Sequence, residues 1–167
     1  MPAKCLVRPA VEHDLDSIAE IYNQGIRDRM ATFETRERSP YELKGWLEDA
    51  HYPLLVAEHD GEVLGWIHAS SYRPRDCYAG IAEFSIYIAK SARGQGVGQA
   101  LLPTFLKACE AQGFWKVLSR VFPENKASLR LCKRHGFREL GIYEKHAKLD
   151  GIWRDVVIVE RLLEGNL

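Results

Sequence analysis

The chain is predicted to be a mixed α/β protein built on an antiparallel-rich mixed sheet. Three observations carry this. Strand-like and helix-like runs alternate along the sequence. Two Asp-Gly pairs, Asp60-Gly61 and Asp150-Gly151, each join two apolar strand-like runs, the signature of tight hairpins and so of antiparallel pairing. The length of 167 residues, with no internal repeat and no low-complexity linker, suggests one domain over residues 1–167.

Residues Cys5 to Arg8 suit a short first strand. In HDLDSIAEIYNQGI, the residues Leu15, Ile18, Ile21, Tyr22 and Ile26 fall on one helical face, with Asp14 as the expected N-cap. The polar stretch RDRMATFETRERS breaks that pattern and is long enough for a binding loop, with Phe33 a large apolar group among polar neighbours. A second helix is expected from Ser39-Pro40 through Leu43, Trp46 and Leu47, with Pro40 suited to its first position.

PLLVAEH and EVLGWIHASSY form the first predicted hairpin, and IAEFSIYIA follows as a strand after RPRDCYAG. VGQALLPTFLKACEAQG is an amphipathic helix stopped by Gly113, although Pro103 removes one backbone donor inside it. WKVLSRVF is a strand, and ENKASLRLCKRHG is a helix stopped by Gly136. FRELGIYEKHAKL and IWRDVVIVERLL make the closing hairpin.

Composition narrows the function classes. The chain is 46% hydrophobic and 28% charged, as soluble globular proteins are. Lys plus Arg and Asp plus Glu both number 23, so net charge gives no general argument for nucleic-acid binding. No apolar run is long enough to span a bilayer, and MPAKCLVRPA lacks the apolar region of a signal peptide, so a cytoplasmic location is expected. Cys5, Cys77, Cys109 and Cys132 are widely spaced without a C-x-x-C pair, which favours free thiols and no metal site.

The segment Arg93-Gly94-Gln95-Gly96-Val97-Gly98 lies between a strand and a helix. Small residues there let several amides converge, and a helix N-terminus adds unpaired N–H groups that suit a phosphate. A sharp turn without a ligand explains the same glycines equally well. The spacing is neither a P-loop, since no Lys-Ser/Thr follows, nor a Rossmann fingerprint, since Ala100 and Leu101 occupy the next positions.

Other residues carry chemistry of their own. Glu83 interrupts the apolar run IAEFSIYI, sharing a strand face with Ser85 and Tyr87 while Ala82, Phe84, Ile86 and Ile88 share the other. A carboxylate there is either an edge charge or a general base whose pKa burial raises. Arg73 and Arg75 flank Pro74 with Tyr78 nearby. They are either a solvated loop or a pair of forks for an anionic acceptor.

The pattern Arg93-x-x-Gly96-x-Gly98 resembles the acyl-CoA pyrophosphate motif of the GNAT acetyltransferase superfamily. Asn125-x-x-Ser128 followed by Gly136-Phe137 is similar to it as well. Within that superfamily the chain looks most like the phosphinothricin/methionine sulfoximine acetyltransferases. IAEIYNQGI, TFETR, YPLLVAEHDGEVLGW, YRPRDCYAGIAEFSIYI and GIWRDV support that subgroup.

The resemblance implies the GNAT fold, a central mixed, mostly antiparallel twisted sheet flanked by helices. It implies acetyl transfer from acetyl-CoA to the amine of a small amino-acid-like acceptor such as phosphinothricin, methionine sulfoximine or sulfone, or another glutamate analogue. Ile86, Tyr87 and Ile88 would hold the pantetheine arm. Arg93, Gly94, Gln95, Gly96, Val97, Gly98 and Gln99 would wrap the pyrophosphate, with Asn125 and Ser128 beside it. Glu83 would be the base, acting directly or through water. Arg73, Arg75 and Tyr78 would hold the acceptor, with Phe33 and Trp153 as walls, although packing of the final hairpin explains Trp153 as well.

Cys132 stands where the subgroup has histidine and many superfamily members tyrosine as proton donor. It is either a donor to the leaving thiolate, with solvent as its substitute, or inert packing. No metal is implied. A homodimer is implied, and the apolar run Val156 to Val159 either permits an interface or is buried entirely within one sheet. Two other readings stay open: acetylation of a protein N-terminus or lysine, and a non-catalytic acyl-CoA-binding module.

Overall fold

The computed structural model describes residues 4–167. Seven strands form one sheet in the order β1-β2-β3-β4-β5-β7-β6. They are β1 (Leu6–Pro9), β2 (Leu54–His59), β3 (Glu62–Ser71), β4 (Ile81–Ile88), β5 (Lys116–Val121), β6 (Arg138–Leu149) and β7 (Ile152–Leu162). Every neighbouring pair is antiparallel except β4 and β5, which run parallel. The helices are α1 (Leu15–Asp28), the single turn α2 (Gly45–Glu48), α3 (Val97–Ala111) and α4 (Lys126–Arg134). This is the mixed, mostly antiparallel sheet flanked by helices that the sequence predicts.

Both Asp-Gly turns form as expected. Asp60 and Gly61 have φ of 50° and 79°, and Asp150 and Gly151 have 50° and 78°, the left-handed pair that two-residue hairpins require. Gly113 and Gly136 end their helices with φ of 92° and 84°. Pro103 does not break α3, whose Leu101, Leu102 and Phe105 are fully buried. Their packing outweighs the single lost ladder bond.

Three local expectations are corrected. The first strand is Leu6–Pro9, one residue later than predicted. Asp14 holds the N-cap position of α1 as expected but gives the helix no side-chain cap. Its buried carboxylate instead accepts the Val11 N–H and two bonds from Arg8, at 2.7 and 2.9 Å. An arginine fork outcompetes a weaker backbone donor for it. The helix expected from Ser39-Pro40 is reduced to a 3-10 turn at Tyr41–Leu43 and the single turn α2. Only Leu43 in these turns is buried, so little apolar area is available to extend the helix.

The main core fills both sides of the sheet. On one face of β4, Phe84 meets Phe105 of α3 and Phe137. On the other, Tyr87 stacks on Trp66 of β3 and packs at a tilt against Tyr22 of α1. The Tyr87 ring lies so close to α1 that any side chain at Gly25 would collide with it. That contact explains a glycine inside a helix, where it otherwise weakens the element. A separate small core of Phe122, Leu149, Val156 and Ile158, with Phe33 against it, lies under the closing hairpin.

Candidate active site

The site begins where the parallel pair of β4 and β5 separates. β4 pairs with β5 through Ile81–Glu83 against Lys116–Leu118 and no further, while β3 stays paired with β4 as far as Ile88. The two parallel strands therefore fork after Glu83. Ser119 on the β5 side gives its hydroxyl to the Phe84 carbonyl at 2.9 Å, satisfying one acceptor that the fork leaves behind. Beyond it, Ile86 to Ile88 form a strand edge that no strand covers on the β5 side.

A cleft of about 440 Å³ opens along that edge. Ile86, Tyr87 and Ile88 line it together with Arg93, Gly94, Gly96, Val97, Gly98, Gln99, Asn125 and Ser128. Gln95 belongs to the same turn but points its amide at the Ser91 carbonyl and lies outside the cleft lining. Gly94 and Gly96 have φ of 76° and 86°, and Gly96 is the N-cap of the fifteen-residue α3. A left-handed backbone followed at once by a helix start turns consecutive amides toward one point, the arrangement that suits a pyrophosphate.

Arg93, Arg130 and Arg134 bring three guanidinium groups to the cleft. Arg93 lies 2.6 Å from Asp28 and donates weakly to the Ile88 carbonyl at 3.4 Å. Asp28 Oδ2 is nonetheless without an aligned hydrogen bond, so the contact is charge pairing rather than a well-formed bond. Asn125 caps α4 by accepting the Ser128 N–H at 3.3 Å, and both residues line the cleft. Their N-x-x-S spacing is thus a helix cap as well as a cleft wall.

A second, smaller chamber of about 120 Å³ lies at the fork itself. Glu83, Ser85, Ser119, Arg120, Phe122 and Cys132 are among its walls, and Ile86, Tyr87, Asn125 and Ser128 line both spaces. Burial pushes the Glu83 carboxyl above the ordinary carboxylate range, opposed by the positive charges of Arg120 and Arg73. Arg120 Nη2 lies 3.3 Å from Glu83 Oε1. Burial pushes the Cys132 thiol up to about 12. A thiol that weak is a poor proton source for a leaving thiolate of ordinary acidity. His135 does not line the chamber, and its Nε2 meets the Gln99 amide oxygen at 2.9 Å.

The expected acceptor residues are less tightly gathered. Arg73 lies over the Tyr72 ring at 5.0 Å and within electrostatic reach of Glu83. Tyr78 packs edge-on against Tyr72, and Arg75 leads into the 3-10 turn Asp76–Tyr78, so both stand on the connection above β4 rather than in either space. Phe33 meets Phe122 edge-on at 4.9 Å. Trp153 is 54% exposed with Lys148 over its ring, away from the chamber of its own chain.

Arg120 and Phe122 are site residues that the sequence reading missed. The signal was available for Arg120, because it interrupts VLSRVF as Glu83 interrupts IAEFSIYI. Among the described residues, no group of three or more His, Cys, Asp or Glu is placed to hold a metal ion, and no helix is long and apolar enough to cross a membrane.

Comparisons with known proteins agree with this geometry. The sequence profile of the Acetyltransferase (GNAT) family matches residues 16–137. A phosphinothricin N-acetyltransferase of Streptomyces coelicolor is 35% identical, over 96% of this chain and 98% of its own. The crystal structure of a phosphinothricin acetyltransferase from Sinorhizobium meliloti, in complex with acetyl-CoA, is 32% identical with a TM-score of 0.88, over 95% of this chain and 88% of that one. A ribosomal-protein-alanine N-acetyltransferase from Brucella melitensis is 28% identical with a TM-score of 0.90, over 95% of this chain and 99% of that one.

Proposed function

From the premise that this chain belongs to the GNAT acetyltransferase family, and so transfers acetyl from acetyl-CoA to an amine, we propose that its acceptor is a small amino-acid-like molecule. Phosphinothricin, methionine sulfoximine or sulfone, and related glutamate analogues are the candidates. The observation that carries this reading is the fork: the half-buried Glu83 carboxylate and the Arg120 guanidinium stand where the uncovered β4 edge meets the small chamber, with Arg73 within electrostatic reach. Such a chamber suits a compact anionic acceptor better than a cationic peptide.

The residues divide the work as follows. The β4 edge from Ile86 to Ile88 offers main-chain groups to the pantetheine arm. The amides following Gly94 and Gly96, with Arg93, neutralise the pyrophosphate. Acetyl-CoA supplies an activated thioester. Glu83 removes a proton from the acceptor ammonium, directly or through water, so that the neutral amine can attack. As the N–C bond forms and the C–S bond breaks, the departing sulfur takes its proton from solvent, because Cys132 is too weak an acid.

Arg73 balances the far end of the acceptor, and Phe33 with Phe122 supplies an apolar wall. Val156 to Val159, expected to permit an interface, are buried within this chain's own sheet; a homodimer in the cytoplasm would instead use the exposed Leu140, Ile142, Tyr143 and Trp153 of the closing hairpin.

Release of free thiol from acetyl-CoA with a panel of amines tests the proposal. Turnover with glutamate-like amino acids and none with peptides is expected. The likeness to the Brucella enzyme supports a second reading, acetylation of a protein N-terminus. A preference for an Ala-initiated peptide in the same panel would establish it. Tight acetyl-CoA binding without turnover of any amine would instead leave an acyl-CoA-binding module.

A further inference from the structure

Two charged side chains break into otherwise apolar strands at the same place. Glu83 is the last residue of β4 that pairs with β5. Arg120 stands on β5 two residues beyond Leu118, the partner of Glu83. The side chains meet across the mouth of the fork at 3.3 Å, and both line the small chamber. Glu83 is 24% exposed and Arg120 is 45% exposed.

Their contact is long for a charge-assisted hydrogen bond. Glu83 is also the single ion-pair partner of Arg120 among the described residues. A guanidinium has five donors, so most of its hydrogen-bonding capacity remains free for a ligand. The pair is a weak one, open to solvent, inside a site for a charged substrate. It is therefore easily exchanged for contacts with that substrate.

We propose that Glu83 and Arg120 form a two-point template for the ammonium and carboxylate of a free α-amino acid, Glu83 receiving the amine and Arg120 the α-carboxylate. This rests on the small-acceptor reading and narrows its substrate class. In an α-amino acid the two charged groups share one carbon, so they lie about one hydrogen-bond length apart, matching the separation of Glu83 and Arg120. The substrate's two charges replace the protein's own pair, each meeting its opposite, and the planar fork of Arg120 suits a carboxylate bidentately.

A peptide N-terminus has an amide where the carboxylate would be, and a lysine ε-amine has no anion within reach. Both leave Arg120 unmatched. The bound carboxylate also offsets the charge of Arg120, weakening one of the two positive charges that oppose the effect of burial on Glu83. The arginines before β4 then serve the acceptor side chain, not its α-carboxylate.

The test compares three acceptors in the thiol-release assay: an α-amino acid, its α-amide and the decarboxylated amine. The wild type is expected to prefer the free acid by about 10- to 100-fold in kcat/KM, the range of one charged hydrogen-bonding contact. Arg120→Gln abolishes the preference, Arg120→Lys keeps part of it, and acetyl-CoA affinity is unchanged in both. Equilibrium binding of the amino acid is measured in parallel, and loss of binding in Arg120→Gln supports the template even without turnover.

A wild type that acetylates acid and amide equally overturns the template while leaving the amine acetyltransferase reading intact. A full preference retained by Arg120→Gln also overturns it and moves the carboxylate site to Arg73 or Arg75. Absence of both turnover and amino-acid binding overturns the template and the small-acceptor reading together.

Discussion

The cleft proposed for the cofactor and the chamber proposed for the acceptor share one fork yet are built from different material. The cleft is mainly backbone: a strand edge, a left-handed turn and a helix start, all anchored in the main core by Ala92, Val97 and Leu101. The chamber is mainly side chains. Glu83 and Ser85 come from β4, Ser119, Arg120 and Phe122 from β5 and the residue after it, and Cys132 from α4. One of its walls, Phe122, belongs to the satellite core under the closing hairpin. Backbone recognition depends on a few glycines and tolerates change elsewhere, whereas side-chain recognition changes with every substitution. The same scaffold can therefore keep one donor and exchange acceptors.

The sharpest break between the two regions is expected from Glu83→Gln. It removes the proposed base and keeps the shape, so kcat is expected to fall by about 10²- to 10⁴-fold. Acetyl-CoA affinity, measured by calorimetry, stays within about twofold, because Glu83 lines the chamber and not the cleft. In the wild type, kcat/KM rises with pH as Glu83 loses its proton. Since burial raises its pKa, that limb lies above the ordinary carboxylate range. Arg120→Gln removes a cation that holds the pKa down, so the limb moves to still higher pH. A limb that moves down, or no limb at all, would show that Glu83 is not the titrating base.

The opposite break comes from Gly96→Ala. A side chain at φ of 86° strains the turn, and the amides it aims at the pyrophosphate shift. Acetyl-CoA affinity is expected to fall about tenfold, the equivalent of one or two kcal/mol. The acceptor KM at saturating acetyl-CoA should hardly move. If both constants change together, the two regions are not independent.

This division also explains what could be read from the sequence. The fold was legible because its signals are local: Asp60-Gly61 and Asp150-Gly151 fix two hairpins, and Gly113 and Gly136 stop two helices. The cleft was legible for the same reason, since Gly94 to Gly98 and Asn125 to Ser128 each act within one short segment. The chamber was only half legible. Glu83 stood out as a charge in an apolar strand, but its partnership with Arg120 depends on where a parallel pair separates, thirty-seven residues away in sequence. The place of Arg75 and Tyr78 outside the chamber depends equally on tertiary packing.

The smallest expected effect probes how the satellite core reaches the chamber. Arg154 of β7 is only 16% exposed, and its guanidinium lies 4.2 Å from the Phe122 ring. It donates to the Arg29 carbonyl and to Glu124, each at 3.3 Å. Arg29 is in turn tied to Asp150 at the hairpin tip, at 2.7 Å. Arg154 therefore clamps the end of α1, the β5–α4 connection and the closing hairpin around Phe122, on which Phe33 rests.

Arg154→Gln loses the stacking and the fork. It should lower Tm by about 2 to 4 °C for each kcal/mol lost. Loosening Phe122 and Phe33 should also raise the acceptor KM by about two- to fivefold, the equivalent of less than about 1 kcal/mol. Acetyl-CoA affinity should not change, because none of these three residues lines the cleft. Arg154→Lys keeps the charge without the planar fork, so it should recover Tm in part and the acceptor KM less. A drop in Tm with an unmoved acceptor KM would confine Arg154 to stability and detach the satellite core from the chamber.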